Sequence, residues 1–355
     1  LELVKGETSL AARLVRVRAL LDLGRRDDAL TEGAPALRTL NEQGAASADD
    51  VVSAVRIAAL LADLRQPGRD DDHQAMIAAL GRARTLDPLD YRVRLAEAEL
   101  LFDKDNYDEA QAAIREALKL NPSSAESWAV LGHMAVNGFN LPEAEKIAKM
   151  LDRLASMEPR SDIMDGAEAA GEDGGGEERE DDHAEAPADG ARPARPAAEA
   201  RAVSALAAGV RARALLRQDD PEGAGAALAP ALDRFAGRRD LREYAIAVSA
   251  LRYDWEATHT LLDEYDRLSP GSARGYYEAG RALADSRQYA QAAKWLGEAF
   301  HRAPAWAAPA AELGLLEVQS GRDQEALIAL ERAEQLDPYN VRVGNSLKLM
   351  REIQT

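Results

Sequence analysis

The stretch "SARGYYEAGRALADSRQYAQAAKWLGEAFHRAP", Ser272–Pro304, reads as two helices in succession. Tyr276, Ala279, Gly280 and Leu283 recur at spacings of three and four, which marks one face of a first helix. Ala292, Leu296 and Ala299 do the same for a second. The small residues Gly280 and Ala292 suit helices that must cross closely, and Pro304 stops the second helix.

That stop recurs along the chain. Pro270, Pro304 and Pro338 are evenly spaced, and Pro88 and Pro122 are separated by the same step of about 34 residues. A fixed period of this length is the mark of stacked helix–turn–helix units. The unit after the opening one places Leu313–Gly314, Ala326, Leu330 and Ala333 at the matching positions. In "AESWAVLGHMAVNGFNLPEAEKIAKML", from Ala125, Trp128, Leu131, Gly132 and Ala135 share a first-helix face. Gly138 and Asn140 then break the chain, Pro142 suits the first turn of a second helix, and Ala144 is the small crossing residue.

The period divides the chain into eight units, at 8–41, 48–87, 91–122, 125–158, 198–236, 239–270, 273–304 and 307–338. In the second unit, Pro67–Asp72 is expected to form the turn between helices. Units five and six are degenerate: Thr258 stands at the small crossing position, and "YDWEA" (Tyr253–Ala257) replaces a glycine-containing turn. The chain finishes with "NVRVGNSLKLMREIQ", an amphipathic helix with Val343, Leu347 and Met350 on its apolar side, suited to covering the open end of a solenoid.

These residues resemble the tetratricopeptide-repeat family. The resemblance implies an all-α fold, a right-handed α-α superhelical solenoid of about eight helix–turn–helix repeats with a C-terminal capping helix. The expected organisation is repeats over 1–159, an acidic Gly/Ala/Pro-rich insert at 160–197, repeats over 198–340 and a cap at 341–355. The insert has a compositional basis. Residues 165–190 hold eleven carboxylates against Arg179, so they carry more than half of the net charge of −18. No large apolar residue occurs from Ala167 to Ala202, and such a segment cannot offset the entropy of ordering. A disordered connection is expected, with an acidic docking arm as the alternative.

Composition also limits function. The negative charge argues against a nucleic-acid surface, which needs clustered Lys and Arg. No run of about eighteen apolar residues is present, so no membrane span is expected. With no cysteine there is no disulfide, no thiolate zinc site and no Cys nucleophile. The histidines (His73, His133, His183, His259 and His301) form no His-Glu-x-x-His pair, and phosphate-loop and Gly-x-Ser-x-Gly motifs are missing. "EREDDHAE" around His183 lacks the alternating ligands and central glycine of a calcium loop. No catalytic residue, cofactor or metal is therefore expected. The chain begins at Leu1 without Met and reads as part of a longer protein. Arginine outnumbers lysine 37 to 7, which suggests a GC-rich bacterial genome and favours bacterial cytoplasm, with a periplasmic or secreted location open.

The family resemblance also implies a binding face. Its inner helices line a concave groove with residues at offsets 2, 5, 9, 12 and 13 of each unit. Mapped here, the candidate partner-binding residues are Arg92, Glu99 and Phe102 in unit three and His133 and Asn137 in unit four. Unit seven adds Arg274, Tyr277 and Arg281, and an arginine fork beside an aromatic suits an acidic or carboxylate-bearing peptide. The alternative at unit seven is that Tyr277 packs while both arginines are solvated. Chaperone-binding members hold a C-terminal carboxylate with Lys and Asn. The matching pairs here are Leu95 with Glu99, Ala129 with His133 and Tyr277 with Arg281, so that clamp is not predicted.

The leading expectation is a non-catalytic scaffold that binds a partner protein or peptide on its concave face. A second is the helical front of a larger enzyme, because "LDPYNVRVGNSLKLMREI" resembles the junction in some bacterial repeat proteins that continue into a zinc-peptidase-like domain. A third is self-assembly through the terminal units.

Overall fold

The computed structural model describes residues 6–41, 47–62, 71–156 and 197–353. The acidic tract and the Pro67–Asp70 part of the expected second-unit turn lie outside those residues. Among the described residues every element is a helix. Helices pair as α1 (Leu10–Asp22) with α2 (Arg26–Asn41), and α3 (Ala48–Ala62) with α4 (Asp71–Leu86). Next come α5 (Tyr91–Asp103) with α6 (Tyr107–Leu120), and α7 (Ala125–Asn137) with α8 (Leu141–Ser156). Beyond the tract are α9 (Ala197–Leu216) with α10 (Pro221–Arg234), and α11 (Arg239–Leu251) with α12 (Trp255–Leu268). The last pairs are α13 (Arg274–Asp285) with α14 (Tyr289–Arg302), and α15 (Ala307–Gln319) with α16 (Asp323–Leu336), followed by α17 (Val341–Ile353).

Among the described residues, a backbone device repeats at the turns within pairs. Asp105 and Phe139 have positive φ exactly one repeat apart, and beyond the acidic tract Asp219, Tyr253, Arg287 and Gly321 follow at the same step. The residue after each donates its N–H back to the last turn of the preceding helix, as in Asn140 to Ala135 O at 2.8 Å and Gln288 to Leu283 O at 2.8 Å. This closure caps otherwise orphaned carbonyls and needs a left-handed residue. In unit four that residue is Phe139 (φ 55), between Gly138 and Asn140, which the sequence marks as the break; Gly138 itself has an ordinary φ of −79.

Five residues beyond each left-handed position lies the crossing residue of the second helix: Ala29, Ala110, Ala144, Ala224, Thr258, Ala292 and Ala326, all fully buried. Thr258 is accommodated because its hydroxyl donates to Asp254 O at 2.7 Å and lies 2.9 Å from Ser249 Oγ. The facing glycines are as constrained. A Cβ on Gly280 would sit 2.8 Å from Leu296 Cγ and 3.0 Å from Leu296 N, and Gly314 meets Leu330 in the same way. The helices α4, α6, α12, α14 and α16 each end two residues before Pro88, Pro122, Pro270, Pro304 and Pro338, where the ring limits helical continuation.

The first helices of successive pairs also touch one another, so they form a continuous inner layer. On either side of the acidic tract, α8 packs on α9 through a shared core of Ile147, Leu151, Val203 and Val210. Arg211 reaches Glu145 at 3.3 Å and Asp152 at 2.9 Å across the same seam.

The array curves until it meets itself. Lys104, after α5, pairs with Asp337 at 2.9 Å, and its carbonyl accepts the Val341 N–H at 2.9 Å. Asn340 donates to Asp105 at 3.0 Å, Arg342 lies 3.3 Å from the same carboxylate, and His73 stacks on Tyr339 at 4.4 Å. A second contact joins the α1–α2 turn to the α12–α13 turn. There Gly24 abuts Pro270, Arg26 donates to Gly271 O at 2.6 Å, and Arg239 pairs with Asp22. The inner face is thus the lining of a curved groove.

Candidate partner-binding groove

The left-handed residue of each unit provides a register for the groove. Six residues before it stand Glu99, His133, Arg213, Ala247, Arg281 and Leu315 on successive inner helices. Two residues before it stand Asp103, Asn137, Arg217, Leu251, Asp285 and Gln319.

Of the sequence-predicted residues, Arg92 is exposed on the first turn of α5 and is held by Asp90 at 2.9 Å and Asp49 at 2.5 Å. Glu99 accepts from Arg56 at 3.2 Å, and Arg56 also reaches Glu126 at 3.4 Å. Burial and the Glu126 charge push Glu99 above the usual carboxyl range, against the pull of Arg56. Phe102 is half-buried against Tyr107, edge to face at 5.8 Å. Leu95, at a groove offset in unit three, is instead fully buried in the core.

His133, Asn137 and unit seven converge. Asn137 donates to the Tyr107 hydroxyl at 3.1 Å and accepts from Arg213 at 2.7 Å. His133 has a shielded Nδ1 without a partner, and burial followed by the Arg213 and Arg281 charges lowers its pKa to about 3. Tyr277 packs on Trp306 at 4.8 Å, and Arg274 lies over the same indole at 5.1 Å. Arg281 is not solvated: its side chain is 17% exposed, 3.7 Å from Glu278 and 5.9 Å from the Tyr277 ring. Glu278, Tyr277 and Glu312 raise the Arg281 pKa against the cost of burial.

Arg213 and Arg217 face the groove within unit five, but the family offsets counted from residue 198 do not fall on them. Helix α9 has 20 residues, so a unit begun at its N-terminus is out of register with the groove. Counting one full repeat back from Arg281 gives Ala247 and a second gives Arg213, which was the available signal. Arg217 pairs with Asp285 and lies 4.0 Å over the Phe139 ring. Farther along, Glu312 accepts from Arg342 at 2.5 Å; Arg342 and Arg281 hold this carboxyl below its usual range against burial.

Chemically, this face presents charged and aromatic side chains. Among the described residues, no group of three or more His, Asp or Glu is placed to hold a metal ion, and no helix is long and apolar enough to cross a membrane.

A family model described as "Tetratricopeptide repeat" matches residues 73–125, 95–158 and 261–341. No curated protein matches the sequence significantly. Among solved structures, a chain of the APC/C hetero-tetramer Cut9–Hcn1 is 11% identical, with a TM-score of 0.49 over 98% of this chain and 58% of that one. A tetratricopeptide-repeat protein from Parabacteroides merdae is 11% identical, with a TM-score of 0.42 over 86% of this chain and 98% of that one. Yeast Tom70 is 12% identical, with a TM-score of 0.46 over 99% of this chain and 66% of its own. The chain therefore spans under two thirds of the length of the Cut9–Hcn1 chain and of Tom70.

Proposed function

Because the chain belongs to the tetratricopeptide-repeat proteins, we propose that it is a non-catalytic scaffold holding a partner protein or peptide on its concave face. The observation that carries this reading is the inner layer itself. Seven inner helices follow one another from α3 to α15, and their groove positions hold Glu99, His133, Asn137, Arg213, Tyr277 and Arg281 rather than a uniform solvated face. Affinity in such a groove comes from a few anchored side chains more than from area. Arg274 and Tyr277, gathered around Trp306, and the neighbouring Arg281 are the anchors that suit an acidic or aromatic partner segment.

The test is affinity capture with the full chain and with an Arg274→Glu/Arg281→Glu variant. The reading expects partners recovered by the first bait to be lost from the second, while Ile328→Glu, on the exposed outer helix α16, retains them. Identical recovery by all three baits would overturn it.

A further inference from the structure

The two places where the array meets itself are equivalent. Gly24 and Asp105 are the left-handed turn residues of units one and three, and the turns they meet, at Pro270 and Pro338, close units six and eight. Each contact therefore joins a turn within one unit to the turn that ends the fifth unit after it. Both are made at turns and helix ends. Among the described residues, extensive helix packing occurs between neighbours in the array, and each apolar cluster stays within a run of neighbouring helices. Apart from the His73–Tyr339 stack, what crosses the second contact is polar: Lys104 with Asp337, Asn340 with Asp105, and Arg342 with Asp105.

This closure restricts access to the inner face. Arg342, on the first turn of α17, reaches Glu312 on the inner helix α15 at 2.5 Å and Asp105 beyond α5 at 3.3 Å, so it ties unit three to unit eight across the groove. Against the cost of burial, Arg342 and Arg281 hold the Glu312 carboxyl below its usual range, so this tie is ionic at neutral pH. Arg217 ties α9 to α13 through Asp285. Near these struts His133, Tyr277 and Arg281 are only partly exposed, and the His133 Nδ1 is shielded from solvent without a partner. The recess between α9, α11 and α13 measures about 20 Å³. That is room for one water at roughly 10–15 Å³, but not for a length of peptide.

Such a closure is held lightly. Opening it exposes little apolar surface, because no core crosses the contact. The Arg342 side chain is 39% exposed. Ion pairs open to water are weakened as salt shortens the screening distance from about 10 Å at 0.1 M to about 3 Å at 1 M. We propose that Arg342, with Lys104 and Asp337 beside it, forms an ionic clasp that holds the groove closed, and that a partner segment enters once the clasp is released. The proposal rests on the concave-face reading above and adds the regulation of that face. Arg342 is the discriminating residue, since Lys104 has a second carboxylate, Asp103, at 2.9 Å and does not depend on Asp337 alone.

The chain has no cysteine, so single introduced thiols can report access. Full-length variants would carry one each: His133→Cys in the groove, Ser127→Cys buried on the same helix α7, and Ile328→Cys exposed on α16. The probe is a maleimide bearing a long polyethylene glycol chain, too bulky for a closed groove. His133→Cys is expected to react roughly tenfold faster or more in about 1 M than in about 0.1 M sodium chloride. Adding Arg342→Glu is expected to give the fast rate already at low salt. Ser127→Cys should stay slow and Ile328→Cys equally fast throughout. The proposal is overturned if Arg342→Glu leaves the low-salt rate of His133→Cys unchanged. It is equally overturned if Ser127→Cys accelerates in step, because the helices would then be separating rather than the clasp. No partner takes part in these rates, so a failed clasp leaves the concave-face reading to the capture experiment, and a failed capture leaves the clasp standing.

Discussion

Replacing Gly280 by alanine tests the close approach of α13 and α14. Alanine is favoured over glycine inside a helix by about 0.8–1.0 kcal/mol. At Gly297, within α14, a Cβ meets nothing within 4 Å, so Gly297→Ala should stabilise by about 0.5–1 kcal/mol. At Gly280 the same Cβ would lie 2.8 Å from Leu296 Cγ and 3.0 Å from the Leu296 backbone nitrogen. The leucine side chain can rotate away, but the nitrogen cannot without separating α13 from α14. Overpacking of this kind costs roughly 1–3 kcal/mol. Gly280→Ala should therefore be neutral to destabilising by up to about 2 kcal/mol, placing the two variants about 1–3 kcal/mol apart. Urea unfolding followed by tryptophan fluorescence suits the comparison, because Trp255, Trp295 and Trp306 report on this end of the array. A local reporter matters in a solenoid, whose repeats need not unfold together. Equal stabilisation by the two substitutions would refute the close crossing.

Three further outcomes follow from the same physical arguments. Burial raises Glu243 to about 7 despite Arg274 and the Tyr265 hydroxyl, so folding takes up a proton and stability contributed by this group falls as pH rises from about 4.5 to 7. His133, neutral down to about 3, contributes in the opposite sense, losing stability as pH falls from about 6.5. Relative to the unaltered chain, Glu243→Gln should make stability rise more steeply with pH between about 4.5 and 7, by at most about 1.4 kcal/mol per unit, and His133→Asn should make it rise less steeply; parallel unfolding curves across pH would contradict both signs. Arg287, exposed and left-handed at φ 62, should gain about 0.5–1 kcal/mol in Arg287→Gly, whereas Gly321→Arg at φ 70 should lose a comparable amount in thermal unfolding. Lys104→Met strands Asp337 in the seam where the array meets itself, so a loss of roughly 1–3 kcal/mol and a larger radius of gyration by X-ray scattering are expected; an unchanged radius would show that the seam does not hold the curvature.

The repeating fold was legible in the sequence because its determinants are local: a proline stop, an alanine crossing residue and apolar spacings that return once per repeat. Thr258 looked like a defect because its compensation, Ser249, lies on the facing helix and does not reveal itself by spacing. The break at Gly138–Asn140 was legible from its glycine and asparagine, but nothing local singled out Phe139 as the residue that takes the left-handed conformation. The groove was only partly legible. Family offsets in units with clear boundaries point to Glu99, His133 and Arg281, which share one register on the inner helices. Arg213 and Arg217 were missed because α9 extends past the repeat and hides its register. Contacts such as Lys104 with Asp337 depend on the accumulated curvature of the units between them, a quantity no local pattern states.

The concave-face account is tested most directly by photo-crosslinking from defined positions. A photoreactive phenylalanine analogue would be placed at Val318 on the inner helix α15, or at Ile328 on the outer helix α16, both solvent-accessible. With a partner captured by the unaltered chain, the account predicts a crosslinked adduct from position 318 and none from position 328. An adduct from 328 alone would contradict it.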